Sequence, residues 1–313
     1  MTQPNIVFLD EYSLGDADLS QIKALGNYTA YRTTRPEEIV SRCTDADIVI
    51  TNKVPFTAET LHQLPRLKLI CIAATGMNHI DLKTAAEQGV KVRNAIGYST
   101  HSVTETTLGG ALSLYRQIPY YDRFTKEEYP KQDLQFNFSR PTRTLHGKNW
   151  GIIGLGNIGR EVAKVATAMG CTVKYTSTSG IVREEAYPEV TLSELLSWAD
   201  IISIHCPLTP HTHNLIDSPE LALMRPHAIL INVARGGIVN EKALAEALNR
   251  DLILGAALDV FSDEPFNEEN PLLHVKDPSK LILSPHNAWS AEEAMETLVK
   301  CIRDNIRENY EAE

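Results

Sequence analysis

Three segments in the second half of the chain carry residue types that can do acid–base chemistry. Arg235 lies in NVARGG, Glu264 in LDVFSDEP and His286 in SPHNAW, and each segment begins where a predicted strand ends. The carboxyl ends of parallel strands line a ligand crevice, so the three side chains are predicted to face one site. Reduction of a 2-keto acid needs a cation for the keto-carboxylate, a proton donor for the nascent alkoxide, and a carboxylate that keeps the donor protonated. Taken singly, each residue also has a purely structural explanation. Arg235 would be a solvated charge, Glu264 a loop acid and His286 a strand-end cap.

A glycine fingerprint, GLGNIG, precedes these segments. Gly154, Gly156 and Gly159 follow the apolar run 150–153 and open the amphipathic segment 160–169. In this context the first glycine permits a tight turn, the second lets a pyrophosphate approach the backbone, and the third lets helix and strand pack closely. The free N–H groups at the helix N-terminus then face the phosphates. The pattern predicts a dinucleotide site.

The end of the next strand leaves the choice between NAD and NADP open. A carboxylate that would hold the ribose 2′-hydroxyl is expected near Ser177, but the segment there is YTSTSG. Without the acid a 2′-phosphate is not repelled, and the hydroxyls of Ser177 and Thr178 can donate to it. No arginine stands at the strand end, however, and Lys174 and Arg183 are the possible substitutes. Either cofactor is compatible with the sequence.

The elements that must position these residues alternate between short β-rich runs and helical patterns. This alternation predicts an α/β fold of two Rossmann-like doubly wound domains, the larger binding the dinucleotide and the smaller, flavodoxin-like one being discontinuous. The smaller is predicted to comprise residues 1–100 and 288–313 and to bind substrate, and the larger residues 101–287. The predicted strands are 5–9, 46–51, 68–73 and 90–93 in the first domain, and 150–153, 172–176, 201–205, 229–232, 255–258 and 281–283 in the second.

Between the two series the pattern predicts one long helix over 99–118, followed by an irregular arm. Residues 120–145 are polar and aromatic without clear periodicity. Long arms in compact domains are usually functional or covered by a partner, so this arm is a candidate subunit contact. A mobile surface loop is the alternative.

Composition limits the classes of partner and compartment. The 313 residues are 43% hydrophobic and 22% charged, as in globular proteins, and 30 basic against 40 acidic residues leave a formal net charge of −10. Nucleic-acid and anionic-membrane binding need a basic face and are therefore disfavoured. No signal peptide or membrane span is predicted. The five cysteines form no CxxC pair, which is typical of reduced thiols and predicts a cytoplasmic location.

A metal site is not expected. His205, Cys206, His211 and His213 superficially offer nitrogen and sulfur ligands. Zinc sites need three or four convergent ligands, and prolines at 207 and 210 give this phrase the character of a loop.

The ordered motifs GLGNIGR, HCPLTPHTHNLI, INVARGG, ALDVFSDEP and SPHNAW resemble signatures of the D-isomer-specific 2-hydroxyacid dehydrogenase family, over essentially the whole chain. The resemblance implies that Arg235 binds substrate, that His286 is the acid/base, and that Glu264 hydrogen-bonds His286 and keeps it protonated. It also implies that the backbone N–H groups of Thr75 and Gly76 hold the substrate carboxylate. With the fingerprint, the predicted cofactor contacts are Thr104, Gly154, Gly156, Asn157, Ile158, Gly159, Ser177, Thr178, Cys206, Pro207, Thr212, Ala234 and Asp259, the last at the nicotinamide amide.

Two further features resemble the glycerate dehydrogenase and hydroxypyruvate reductase branch of that family. These are the YST-x-SV segment that begins at Tyr98, and Trp289 after His286. The branch implies hydride transfer between NAD(P)H and hydroxypyruvate or D-glycerate, and also glyoxylate. Trp289 would line the substrate pocket or pack at an interface. D-lactate-, formate- and phosphite-type dehydrogenases are alternatives, as is a dinucleotide-sensing protein similar to corepressors of this fold. A homodimer is the expected assembly.

Overall fold

The structure is a computed structural model that describes residues 3–133, 135–181 and 184–310. Arg183, one of the two cations considered for a 2′-phosphate, lies outside the described residues. The chain forms two compact units, Met1–Ser99 with Ser290–Glu313 and Thr100–Trp289. None of the described helices is long and apolar enough to cross a membrane.

Five parallel strands form the sheet of the first unit: β1 (Asn5–Phe8), β2 (Asn27–Ala30), β3 (Ile48–Thr51), β4 (Leu69–Ile72) and β5 (Lys91–Asn94). Their order is β2-β1-β3-β4-β5, the flavodoxin-like order. Both β3 and β4 are buried at every position, as parallel strands are when both sheet faces are covered. The helices are α1 (Ser20–Lys23), α2 (Ile39–Cys43), α3 (Ala58–His62), α4 (Leu82–Glu87) and the last helix of the chain, α11 (Glu292–Asn309).

Six parallel strands form the sheet of the second unit: β6 (Asn149–Ile153), β7 (Thr172–Thr176), β8 (Ile201–Ile204), β9 (Ile229–Asn232), β10 (Gly255–Leu258) and β11 (Leu281–Leu283). Their order is β7-β6-β8-β9-β10-β11. On the outer side of β7 the chain forms a single parallel bridge with Tyr175 in place of a further strand. Tyr175 N donates to Pro188 O at 3.0 Å, and Val190 N donates to Tyr175 O at 2.9 Å. With this bridge counted as a strand, the order is that of a dinucleotide-binding sheet.

Apolar side chains cover both faces of the second sheet. Successive residues of β9 alternate between two core clusters, with Leu230 in one and Ile229 and Ile231 in the other. The covering helices are α5 (Thr100–Tyr115), α7 (Asn157–Ala168), α8 (Leu192–Trp198), α9 (Ser218–Leu223) and α10 (Glu241–Asn249), while α6 (Ile118–Glu127) follows α5 and has no buried residue. The predicted fold class, two doubly wound α/β domains, is confirmed.

The long helix and the arm differ from the prediction. α5 ends at Tyr115, and Gln117 adopts a left-handed conformation with φ of 54° before α6 begins at Ile118. The prediction of one helix over 99–118 is therefore wrong at its end, and that of an irregular arm is wrong from Tyr120 to Glu127. The rest of the arm is anchored to its own unit, because Arg140 stacks over the Tyr120 ring at 4.2 Å and pairs with Asp277 at 2.8 Å.

Candidate active site

The fingerprint turn joins β6 to α7 with the geometry that its glycines permit. Gly154 has a φ of 91°, and a Cβ there would lie 2.8 Å from the backbone N of Cys206. A Cβ at Gly159 would lie 2.3 Å from Gly154 O, so helix and turn are packed backbone to backbone. At Gly156, which precedes the first residue of α7, an added Cβ would meet nothing within 4 Å. The open space before a helix N-terminus, beside Asn157 and Ile158, fits the pyrophosphate of a dinucleotide.

A cavity of about 240 Å³ opens beside the end of β7. Ser177 Oγ and Ser179 Oγ lie 3.1 Å apart in the segment that follows the strand, so hydroxyls stand where a ribose carboxylate was expected. None of the described residues that line the cavity carries a carboxylate. They are Thr176, Ser177, Thr178, Gly180, Leu192, His211, Thr212 and Leu215.

The loop after β8 carries the predicted contacts Cys206, Pro207 and Thr212. The Thr212 side chain is buried and fixes this loop, since its hydroxyl donates to Pro207 O at 2.7 Å. Burial raises the pKa of the Cys206 thiol to about 11, so the thiol is neutral. Its neighbour His205 is held by Ser203 Oγ at 2.9 Å, and burial lowers the pKa of His205 to about 3.

Arg235 is presented by the loop that follows β9. The buried Asn232 closes this loop, because its side chain donates to Arg235 O at 2.9 Å and accepts from Ala234 N at 3.1 Å. The Arg235 guanidinium donates to Ala234 O at 2.6 Å. A Cβ at Gly236 would lie 1.6 Å from Phe261 O, so this loop and the one that follows β10 touch backbone to backbone.

Glu264 and His286 form the closest acid–base pair of the site. Glu264 lies in the loop after β10, His286 in the loop after β11, and Glu264 Oε2 is 2.6 Å from His286 Nδ1. The other carboxylate oxygen, Oε1, accepts from Phe261 N at 2.9 Å. An ionised carboxylate only accepts, so Nδ1 carries the hydrogen and Nε2 is the ring nitrogen available for proton exchange. The His286 side chain is 20% exposed and can therefore be reached.

The backbone of His286 is held in an uncommon conformation. Its φ is 53°, in the left-handed region that few non-glycine residues adopt. The turn is tight, since His286 N donates to Ser284 O at 3.0 Å, and the Trp289 indole donates to His286 O at 2.8 Å. Such backbone strain persists only where several neighbouring contacts impose it. Trp289 therefore braces the turn that presents the imidazole.

Asp259, buried at the end of β10, completes that support. Its carboxylate accepts from Asn287 N at 3.0 Å, from Ala288 N at 2.9 Å and from the Ser284 hydroxyl. Burial raises the pKa of Asp259, and these three hydrogen bonds oppose the rise. Asp259 thus ties the residues on both sides of His286 to the neighbouring strand end.

The remaining predicted residues do not join this cluster of contacts. In the first unit the Thr75 hydroxyl donates to Ala95 O at 3.0 Å, and Gly76 follows on the same loop after β4. In the second unit Thr104 is buried within α5, where its hydroxyl donates to Thr100 O at 2.8 Å. Among the described residues no group of three or more His, Cys, Asp and Glu side chains could hold a metal ion.

Sequence reasoning missed the residues that shape the three loops. Asn232 and Gly236 lie inside a quoted motif but were not singled out, although an Asn at a strand end and a Gly after Arg235 are signals for a tight loop. No sequence pattern singles out Ser284 or Glu241, because their hydrogen-bond partners, Asp259 and Ser262, are distant in the chain.

Comparison with known proteins identifies the family. The model described as "D-isomer specific 2-hydroxyacid dehydrogenase, NAD binding domain" matches residues 108–288. The glycerate dehydrogenase of Methylorubrum extorquens is 40% identical over 306 residues, covering 96% of this chain and 94% of that protein. The hydroxypyruvate reductase of Blautia hydrogenotrophica is 37% identical over 311 residues, covering 97% and 96%. The structure of D-lactate dehydrogenase from Aquifex aeolicus, complexed with NAD and lactic acid, superposes with a TM-score of 0.82 at 28% identity, covering 97% of this chain and 94% of that one.

These likenesses extend over nearly the whole chain, and the family model covers the segments that carry Arg235, Glu264 and His286. The family predicted from the ordered motifs is confirmed. The chain belongs to the D-isomer-specific 2-hydroxyacid dehydrogenase family.

Proposed function

We propose that this chain reduces hydroxypyruvate to D-glycerate, and glyoxylate more slowly, with a nicotinamide dinucleotide as the hydride donor. The observation that carries the proposal is the Glu264–His286 pair, in which Oε2 and Nδ1 are 2.6 Å apart. The loop that carries Glu264 touches the loop that presents Arg235. A proton donor beside a guanidinium is what reduction of a 2-keto acid requires. The similarity to glycerate dehydrogenase and hydroxypyruvate reductase supports this choice of substrate.

The residues of the chain would divide the work as follows. Arg235 binds the keto-carboxylate and polarises the keto oxygen, since a guanidinium offers several donors in a planar fork. His286 donates the proton from Nε2 to the nascent alkoxide, while Glu264 accepts from Nδ1 and orients the ring. Thr75 and Gly76 hold the substrate carboxylate through their backbone N–H groups, and Trp289 borders the substrate. A nicotinamide dinucleotide held through its pyrophosphate by the fingerprint turn would supply the hydride.

The assay that tests this function follows oxidation of NADPH and, separately, NADH at 340 nm with hydroxypyruvate, glyoxylate and pyruvate. Fastest turnover of hydroxypyruvate is the expected result. His286→Asn keeps a residue that tolerates the left-handed backbone and should lower turnover at least about a hundredfold with cofactor binding intact. Faster turnover of pyruvate would favour the D-lactate type. Tight cofactor binding without turnover of any keto acid would favour a dinucleotide-sensing protein.

NADPH is the proposed cofactor. The hydroxyls of Ser177, Thr178 and Ser179 can donate to a 2′-phosphate, and the described lining of the cavity beside β7 holds no carboxylate that would repel it. The test is titration of intrinsic fluorescence with NADPH and with NADH. Ser177→Glu should weaken NADPH binding by at least about tenfold through charge repulsion, while Ser197→Glu, an exposed site on α8, should leave it unchanged. Tighter binding of NADH to the unsubstituted protein would contradict the proposal.

A homodimer is the proposed assembly, and a cytoplasmic location remains a prediction. Phe136 and Phe138 are 66% and 87% exposed on the arm, with ring centroids 6.2 Å apart. Exposed aromatic pairs of this kind favour a protein contact. Light scattering should give twice the chain mass, and Phe138→Ser should shift the mass towards the monomer. A monomeric mass for the unsubstituted protein would contradict the proposal.

A further inference from the structure

The carboxylate of Glu241, the first residue of α10, joins two points of the loop that follows β10. Its Oε1 accepts from Ser262 N at 2.6 Å, and its Oε2 accepts from the Asn270 amide at 2.7 Å. Asn270 is buried and accepts in turn from Leu272 N at 2.9 Å. Both oxygens of Glu241 are therefore used inside the protein, at the start and at the end of one loop.

The turn at the start of that loop carries Glu264, the partner of His286. Two consecutive backbone amides of the turn are bound by two different carboxylates. Phe261 N donates to Glu264 at 2.9 Å, and Ser262 N donates to Glu241 at 2.6 Å. The first bond orients Glu264 towards its own turn, and the second holds the turn from outside. Glu241 therefore contacts the turn that carries the carboxylate at His286 Nδ1.

The segment that carries Glu241 is itself fixed at both ends. It begins at Arg235, and Gly236 packs backbone to backbone against Phe261. It ends at Glu241, directly after Asn240, whose side chain accepts from Ala243 N at 3.1 Å and donates to Asp217 at 3.1 Å. One stretch of chain therefore presents the guanidinium at its start and holds the turn of Glu264 at its end.

We propose that Glu241 is a positioning residue for proton transfer, acting through the turn that holds Glu264 against His286. This inference rests on the proposed reductase function. Without Glu241 the Ser262 amide loses its acceptor and the turn gains freedom, so that Glu264 no longer keeps one geometry at the imidazole. Small misalignments of reacting groups carry large losses in rate, even when the substitution is remote from the chemistry.

The test compares Glu241→Ala with Glu241→Gln. Alanine removes both acceptors, whereas glutamine keeps one for Ser262 N and loses the one for the Asn270 amide. Asn240→Ala is the stability control, because it removes the cap of the same helix without touching Ser262. Glu246→Ala, at an exposed position of α10, is the charge control. The measurements are kcat, KM and the pH profile of kcat/KM for hydroxypyruvate, thermal denaturation, and hydrogen exchange over residues 261–264.

For Glu241→Ala we expect kcat to fall by about ten- to a hundredfold with KM nearly unchanged. The pH profile of kcat/KM should differ from that of the unsubstituted protein, and exchange at the Ser262 amide should accelerate because that amide loses its acceptor. Glu241→Gln should recover part of kcat. If the alanine variant does not fold, the kcat of Glu241→Gln is compared with that of the unsubstituted protein instead. Glu246→Ala should keep the kcat and the pH profile of the unsubstituted protein. Asn240→Ala should lower thermal stability and lose less kcat than Glu241→Ala.

Two results would overturn the inference. One is an unchanged kcat and pH profile in both Glu241 variants. The other is an equal loss of kcat in Asn240→Ala, which would assign the effect to the stability of α10. Absence of turnover in the unsubstituted protein would instead overturn the proposed function. That result is obtained before any variant is made, so the two outcomes are distinguishable.

Discussion

Replacement of Gly236 by alanine should damage the site more than its small size suggests. The added Cβ would lie 1.6 Å from Phe261 O and 2.7 Å from Ser262 N, both of them backbone atoms that no rotamer change can move away. Cβ contacts under 3.0 Å essentially do not occur, so the loops that carry Arg235 and Glu264 must part by about 1.4 Å. A misplacement of about 1 Å can lower a rate about a hundredfold, so kcat/KM should fall by that factor, equivalent to about 2.7 kcal/mol of transition-state stabilisation.

Steady-state reduction of hydroxypyruvate measures this loss, and fluorescence titration should show unchanged cofactor affinity. The adjacent Gly237→Ala is the matched control. Gly237 has a φ of 76°, but the nearest atom to an added Cβ is 3.6 Å away. That variant should therefore lose about 1–2 kcal/mol of folding stability through backbone strain and keep most of its kcat/KM. Equal activity losses in the two variants, or none at Gly236, would refute the close approach of the loops as the cause.

Three further predictions concern charge, pH and the fingerprint turn. Glu264→Gln replaces a charge-assisted hydrogen bond at His286 Nδ1, which is worth about 1.5–3 kcal/mol, so kcat for reduction should fall about ten- to a hundredfold in the steady-state assay. The lowered pKa of His205, about 3, means that the folded chain stays unprotonated there while the unfolded chain binds a proton as the pH falls below about 6.5. His205→Gln should therefore reduce the stability lost between about pH 7.5 and pH 5.5 by about 1 kcal/mol, measured by urea unfolding at both pH values, and an equal loss in variant and parent would contradict it. Gly154→Ala, at a φ of 91° and with a backbone atom 2.8 Å from the added Cβ, should lower folding stability by about 2 kcal/mol or more in the same unfolding assay.

The strands of the second unit were predictable because buried strands are rich in apolar residues. β8 (IISI) and β9 (ILIN) are buried at every position, and three of the four residues in each are Ile or Leu, a composition typical of parallel strands between two layers of helices. The strand β2 (NYTA) lacked this signal, because it lies at the edge of its sheet and alternates between half-buried and exposed positions. Edge strands carry little of the apolar pattern on which prediction depends.

The helix of the arm was missed for a related reason. None of the residues of α6 is buried, and its sequence IPYYDRFTKE mixes aromatic and charged residues, so the segment was interpreted as irregular chain. Pro119, at the start of the helix, was the available signal, since proline is common in the first turn. The left-handed Gln117 that separates α5 from α6 left no trace in the residue types, because glutamine is not a residue typical of that conformation.

In the site, residue types and strand ends were enough to predict Arg235, Glu264 and His286, but not what holds them. The contact of Gly236 with Phe261 and that of Glu241 with Ser262 join loops that only the tertiary fold brings together. The hydrogen bonds from Asn287 N and Ala288 N to Asp259 likewise join two loops that are distant in the chain. Periodicity describes single elements, so contacts between the loops of neighbouring strands lie beyond it.

The left-handed backbone at His286 restricts what evolution can place there. Asn, Asp and Gly tolerate a φ near 53°, whereas most other side chains would strain the turn. A descendant of this chain that kept the dinucleotide and gave up turnover should therefore carry one of those three residues at this position. A β-branched residue there should occur only together with changes at Asp259 or Trp289, because the turn would first have to be rebuilt. Very few substitutions at this position would therefore remove the imidazole and retain the fold.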